Sequence, residues 1–599
     1  MKQKFLCMLP FLFFAAAIVS AQTPEPTNYR GAFAPAPVAQ WTDNWTNWDP
    51  QNTFYPAPTV NVSGVITSNT TWTKNNTYLL QGIVYVDSLV TLTIEAGTVV
   101  RGDANTVISS LVIERGATII ANGTACNPIV FTSSKAAGSR AKGDWGGLTI
   151  LGRGLTNQGN DVPIEGIGTS EPRARYGGNN NADNSGSLKY IRIEYAGYAI
   201  SANVELNSLT FGGVGSGTTV DYVQTSFGND DAFEWFGGAV NAKHLVAYRT
   251  LDDDFDTDFG YSGLVQFGLA IKDPTVADDP AVSTSEGFES DNNAAAPFTP
   301  TPKTSASFYN ITQIGAFRCG SNAGGITQPA ANGFRRGVRL RRNTELKIFN
   351  SIFMNNWRGL VMDADVIANG LAAFKNNIIA MDLTTVWVGP TYAGAAVAAE
   401  NAATNTYLTA AANANTIVTT PCDILVNAWD FLNPDFRPNA IGSGGALSGS
   451  DLTPGIQLET ASFPNLNPRE LVVDIFENGV GNSNGTITLT ITVPSAFTVA
   501  VPGITLSGTD QSGSNGTFPN LGVSYNNGDW LFKLVGGNIV ATSKPGVVIT
   551  QANLTSLGFT IRRNNGVAPG TLQNLAVNVS GGADTAPDNN SSFSGISAP

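Results

Sequence analysis

Asn229-Asp230-Asp231-Ala232-Phe233-Glu234 and Leu251-Asp252-Asp253-Asp254-Phe255-Asp256 decide the fold. They lie 22 residues apart, and at that offset Asp231 meets Asp253, Phe233 meets Phe255, Glu234 meets Asp256 and Gly238 meets Gly260. Glu286-Gly287-Phe288-Glu289 repeats the acid-x-Phe-acid pattern. Asn332-Gly333-Phe334-Arg335 repeats the Phe position with a base in place of the acid. Self-similarity at a period of roughly 20–50 residues is the mark of a solenoid. If each repeat is one coil, Phe233, Phe255, Phe288 and Phe334 form a single internal column, and the carboxylates stack outside it.

The same arithmetic extends in both directions. Lys189-Tyr190-Ile191 aligns with Asp221-Tyr222-Val223, and then with Lys243-His244-Leu245. Arg336-Gly337-Val338 aligns with Arg358-Gly359-Leu360, and Phe349-Asn350-Ser351-Ile352 with Lys375-Asn376-Asn377-Ile378. Upstream, Leu92-Thr93-Ile94-Glu95-Ala96-Gly97 matches Leu111-Val112-Ile113-Glu114-Arg115-Gly116 at an offset of 19, which reads as two superimposable coils. Apolar residues alternate inward along each run, and glycine turns the corner. Loops of variable length inserted into a coil of about 20 residues explain the uneven offsets. The fold class is all-β: a right-handed parallel β-helix in which each coil pairs only with its neighbours, followed by an antiparallel β-sandwich.

The chain of 599 residues divides accordingly. Residues 1–21 read as a signal peptide: Lys2 and Lys4, an apolar core from Phe5 to Ile18, then Val19-Ser20-Ala21 as the cleavage site. Residues 22–60, rich in Pro, Trp, Asn and Thr, form an extended arm or cap, and 61–455 the β-helix. Residues 391–416 are alanine-rich, which suits a short helix or an insertion. A linker at 456–469 precedes the sandwich at 470–585, where Leu471 to Ile475, Thr486 to Thr492 and Leu575 to Val579 alternate cleanly. Residues 586–599 read as a loose tail. No later run is long and apolar enough for a membrane span. The expected location is therefore exported, either extracellular or on the outer cell surface.

The 46 acidic residues outnumber the 33 basic ones. Nucleic acid, which needs a basic surface, is not an expected partner. Beyond the signal only Cys126, Cys319 and Cys422 remain. They are too few and too scattered for a disulfide scaffold.

Several stretches together resemble a family of secreted or surface proteins of the Bacteroidetes and related bacteria. They include Tyr78 to Gly82, Gly143 to Leu148, Tyr176 to Gly178, Leu188 to Gly197, Phe211 to Gly215, Asp252 to Gln266 and Asn433 to Pro438. The resemblance covers roughly residues 70–450 and implies a right-handed parallel β-helix. It implies no activity. The 470–585 module resembles sandwich domains of bacterial adhesins.

The candidate site is the acidic stack: Asp231 and Glu234, Asp253 and Asp256, Glu286 and Glu289. Strands of adjacent coils lie about 4.8 Å apart. At an effective dielectric near 20, two carboxylates at that spacing repel by about 3.5 kcal/mol. Burial of a phenylalanine contributes about 1.5–3 kcal/mol, which one uncompensated rung would cancel. Either the carboxylates splay into water or something positive sits among them, and oxygen-only ligands suit Ca²⁺.

This reading points to a non-enzymatic surface protein that contacts a polysaccharide or another cell-surface ligand. The rival is a polysaccharide lyase or glycoside hydrolase using Asp253, Asp256, Arg335 and Arg339. Trp235 and Tyr261 flank the acids as sugar-stacking candidates. His244, the only histidine, aligns with Tyr190 and Tyr222 and reads as one rung of a side-chain stack.

Overall fold

The computed structural model describes residues 19–20, 24–25, 27, 29–35, 38–105, 108–201, 204–278, 284–319, 326–327, 333–334, 336–356, 358–380, 395–410, 413–418, 421–428, 434–438, 452–460, 462–463, 465–477, 482–550, 554–569, 571–582 and 591–598. Within them the chain winds a right-handed parallel β-helix from Val60–Val62 to Thr416–Val418. Each complete coil has three faces. Gly186–Glu194 supplies two of them, bent in the middle at Tyr190, and Leu209–Gly212 supplies the third.

The bend recurs on successive coils at Tyr190, Tyr222, His244, Phe267, Asn310, Asn350 and Asn376, all with φ between 50° and 62°. Left-handed backbone is unfavourable for aromatic residues. Here stacking holds them in it: the ring centroids of Tyr190 and Tyr222 lie 4.4 Å apart, of Tyr222 and His244 4.2 Å, and of His244 and Phe267 5.1 Å. Below them Asn376 Nδ2 donates to Asn350 Oδ1 at 2.7 Å.

The third face carries the acid-x-Phe-acid repeat. Phe233 pairs with Phe255, and Phe255 with Phe288, all fully buried, with centroids 5.8 and 4.8 Å apart. The column does not continue to Phe334. Val338 pairs with Phe288, and Arg339 with Glu289. Phe334 is buried but lies ahead of the strand Arg336–Leu340, so the sequence match there was four residues out of register. Arg335 and Asn332 lie outside the described residues.

The offset of 19 upstream is also not a coil. Leu92 pairs with Ile119, whereas Leu111 pairs with Leu148 in a different sheet. The two stretches look alike because both are short strands ending at a glycine corner, on different faces. The matches at Lys189, Asp221 and Lys243, at Arg336 and Arg358, and at Ile352 and Ile378 are true pairings.

Helix Ala395–Thr409 closes the far end. Its Leu408 is fully buried against the solenoid core, and its Thr404 Oγ1 accepts the Met362 N–H at 3.2 Å. Cys422 is disulfide-bonded, and Cys126 is free and exposed.

The sandwich is larger than the sequence suggested. Leu452–Leu458 pairs antiparallel with Arg469–Glu477, inside the segment expected to end the solenoid and link the domains. Ser591–Ala598 pairs with Thr571–Gly581, inside the expected tail. Both strands carry few large side chains, so their alternation is faint in the sequence. Ile456, Leu458 and Ile596 complete a core with Leu471, Trp530 and Phe559. Val19–Ser20, in the segment read as a leader, pairs with Leu458 and Gln457.

A fragment of residues 452–599 is expected to melt cooperatively, monitored by circular dichroism. Residues 470–585 alone lose those two strands and part of the core, so that fragment should give a broad melt. Equal behaviour of the two would refute this boundary.

Candidate functional site

Alternation along each strand sets the site. On the third face Phe233 points in, Glu234 out and Trp235 in. In-register pairing then stacks Thr210, Glu234, Asp256, Glu289, Arg339 and Val361 in one outward column. A second column forms at the turn before each strand. Asp231 N–H donates to Asn207 Oδ1 at 3.2 Å, Asp253 N–H to Asp231 Oδ1 at 2.8 Å, and Glu286 N–H to Asp253 Oδ1 at 2.5 Å. Each turn is thus tied to the next through a side-chain oxygen, the Asn207 amide first and then the Asp231 and Asp253 carboxylates.

The six expected acids part into two groups. Glu286 and Glu289 are engaged by arginines of the next coil. Glu286 pairs with Arg336, and Glu289 with Arg341 and, at 3.7 Å, Arg339. Arg341 and Arg342 each reach Asp291 at 2.7 Å. The arginine segment neutralises one end of the stack.

At the other end carboxylates converge on one another, with Asn207 Nδ2 donating to Glu234 and the Arg341 charge acting on Asp256. One ligand oxygen each from Asp230, Asp231 and Asp252 lie within 4.8 Å of one another, as do one each from Asp231, Glu234 and Asp256. Asp231 belongs to both groups. Asp256 Oδ1 is sealed from solvent and has no hydrogen-bond partner among the described residues. Asp253 stays beside them as a turn tie rather than a member.

Two acids from inserted loops crowd the same place and were missed, because they stand outside the repeat. The hairpin Val162–Pro163 with Arg175–Tyr176 is clamped on the third face by Ile164 and Tyr176, which pack with Phe236, Leu151 and Val112. It carries Glu165. Glu205 ends the small sheet Ala199–Ser201 with Val204–Glu205. Both bear electrostatically on Asp230, and Glu165 on Glu234 as well.

Burial comes first among the causes that push these carboxyls above the ordinary range, and like charges follow. Asp230 is raised by desolvation, then by Asp252. Asp231 is raised by desolvation, then by Asp230 and Asp256. Glu234 is raised by desolvation, then by Glu165 and Asp256. Asp256 follows the same order with Glu289, and Asp253 with Asp252. Desolvation and then Glu205 lift Glu165 to about 7. Glu289 rises to about 7 by burial, against the Arg341 charge that lowers it. Asp254, paired with Lys272 at 3.2 Å, is lifted by burial to about 6.

The sugar-stacking candidates are not available for that role. Trp235 and Tyr261 are fully buried, and stack on each other in the solenoid core with centroids 5.4 Å apart. His244 is held in the aromatic stack, with Nδ1 2.8 Å from Asp221 Oδ1.

Residues 64–429 match the profile of the pectate-lyase like β-helix domain. The chain belongs to that family. Members of the pectate-lyase-like β-helix family share the fold described here, which the pairing establishes independently. No curated protein matches the chain. Solved structures similar to it include tailspike protein 2 of an Escherichia coli O157:H7 bacteriophage, at 11% identity and a TM-score of 0.20. That alignment covers 87% of this chain and 64% of the tailspike, so the chain spans less than two thirds of that protein. The Dettilon tailspike protein aligns at 11% identity and a TM-score of 0.16, over 84% of this chain and 88% of its own. Among the described residues no helix is long and apolar enough to cross a membrane.

The raised carboxyls fix a pH dependence. In the unfolded chain they titrate near 4. Above that pH the folded protein holds more protons than the unfolded one, so stability falls as pH rises. In metal-free buffer the melting temperature should therefore be highest near pH 4–5 and drop steadily through pH 7 and beyond. A melting temperature that rises from pH 5 to pH 8 without added metal would contradict the crowding described here.

Proposed function

We infer that this chain is an exported cell-surface or secreted binding protein whose β-helix coils are stabilised by a bound hard cation, and which contacts a polysaccharide or another surface ligand. The observation that carries the reading is the convergence of Asp230, Asp231, Asp252, Glu234 and Asp256 on one place. The donors are all oxygen, which matches Ca²⁺ rather than zinc or copper. The orphaned Asp256 Oδ1 fits the same group, since a buried carboxylate oxygen without a partner is costly. Asp231, Glu234 and Asp256 would hold the cation, with Asp230 and Asp252 beside them. Bound there, it would supply the positive charge that keeps the carboxylates ionised. A family likened to pectate lyases makes an acidic polysaccharide the first ligand class to test.

The enzyme reading would use Asp253, Asp256 and Arg339 for lyase or hydrolase chemistry. One observation favours it: Arg339 stands on the same outward column as the acids. One weighs against it: Arg339 is engaged by Glu289.

Extracellular calcium sites often bind at about 10⁻⁴–10⁻³ M. At about 1 mM, one- to tenfold over that constant, a cation stabilises by roughly 0.4–1.4 kcal/mol. Millimolar Ca²⁺ at pH 8 should raise the melting temperature of the full chain, a chelator should reverse the rise, and Asp231→Asn should abolish it. No response to Ca²⁺ in the native chain would sink the cation reading. If Asp253→Asn with Asp256→Asn instead abolishes cleavage of a polysaccharide while the melt is unchanged, the enzyme reading takes its place.

A further inference from the structure

The amino-terminal arm lies along the solenoid, not across its end. It first runs toward the late coils. Glu25 N–H donates to Gln266 Oε1 at 2.6 Å, Thr27 Oγ1 to Asn310 Oδ1 at 3.2 Å, and Arg30 Nη1 to Thr416 Oγ1 at 2.9 Å. It turns at Gly31, whose φ is 88° and whose N–H reaches the Asn350 carbonyl at 2.7 Å. A Cβ there would stand 2.7 Å from Ile352 Cδ1, so only glycine fits. The arm then runs back. Ala32 N–H meets Thr312 Oγ1 at 2.8 Å, Asn47 exchanges hydrogen bonds with Gln224, and Tyr55 O–H donates to Glu194 Oε1 at 2.7 Å.

What the arm covers is the apolar outside of the second face. Val246, Leu269, Ile271, Ile314, Ile352 and Ile378 point away from the solenoid core, yet are fully buried. Trp45 lies edge-on to Tyr190 and Tyr222, and Trp41 to His244, so the aromatic stack is covered as well. From the far side the hairpin Leu425–Asn427 with Asp435–Pro438 completes the cover, with Phe436 against Phe33 and Trp48.

We propose that the arm is a clasp: it fastens only after the last coils have formed, and it makes the solenoid open as one unit. In a solenoid whose repeats touch only their neighbours, stability is a sum of local terms, and the ends can open piecewise. A segment bound from the coil of Glu194 to that of Thr416 couples all the coils between. Its docking surface is incomplete until Thr416 is in place, although Arg30 precedes it by 386 residues. Local opening then requires release of the whole clasp, and this protects the chain against proteases outside the cell.

Gly31→Val and Trp45→Ala each loosen the clasp without changing a coil. The expected result is a solenoid transition that separates into steps, and native-state proteolysis in the late coils faster by about tenfold, since cutting follows the open population. An unchanged single transition and unchanged cutting in both variants overturn the proposal. A full-length protein with a specific protease site inserted between Ala57 and Pro58 decides the matter should either variant fail to accumulate. After cutting, the arm should co-elute with the solenoid on gel filtration and leave only in mild denaturant, with the stepwise melt appearing on its loss. An arm that separates freely while the melt stays single overturns the proposal.

Discussion

In-register parallel pairing between coils is the constraint on which everything else rests. The backbone ladder leaves no freedom in what stands above what, so a residue type repeated at the coil period must stack on itself. Inside, that is favourable: Phe233, Phe255 and Phe288 add aromatic contacts at each step. At the corner it holds Tyr190, Tyr222 and His244 in a backbone conformation they would otherwise avoid. Outside, the same rule forces Glu234 over Asp256 and Asp231 over Asp253, where repulsion and burial act together.

The two ends of the stack meet that conflict differently. Toward the carboxyl end the chain supplies arginines: Arg336, Arg339 and Arg341 take up Glu286 and Glu289 one coil later. Around Asp230 and Glu234 it adds acids instead, bringing Glu165 and Glu205 in on separate loops. That gathering of like charges is the ground on which we propose a bound cation there.

The fold was legible because the pairing is rigid: matched residues at Lys189, Asp221 and Lys243 really do adjoin. It misled where insertions intervene. Phe334 imitates the local pattern, but Val338 holds the place above Phe288. The burial of Trp235 was available from strand parity alone, since it stands two residues from an inward Phe233. The burial of Tyr261 was not, because it lies beyond the strand Phe255–Asp258. Glu165 and Glu205 left no signal, as inserted loops carry no repeat. The arm's composition announced a cover, but its true target showed only in Leu269, Ile314 and Ile352, apolar at positions that alternation turns outward.

We propose that the crowded end of the stack is built around a positive ion. The most direct measurement is an anomalous difference map from crystals of the full chain grown with a calcium-like lanthanide. The expected result is a peak ligated by Asp231, Glu234 and Asp256 at oxygen distances of about 2.3–2.6 Å. A map with no peak there, or with ions only at exposed carboxylates elsewhere on the surface, would contradict it.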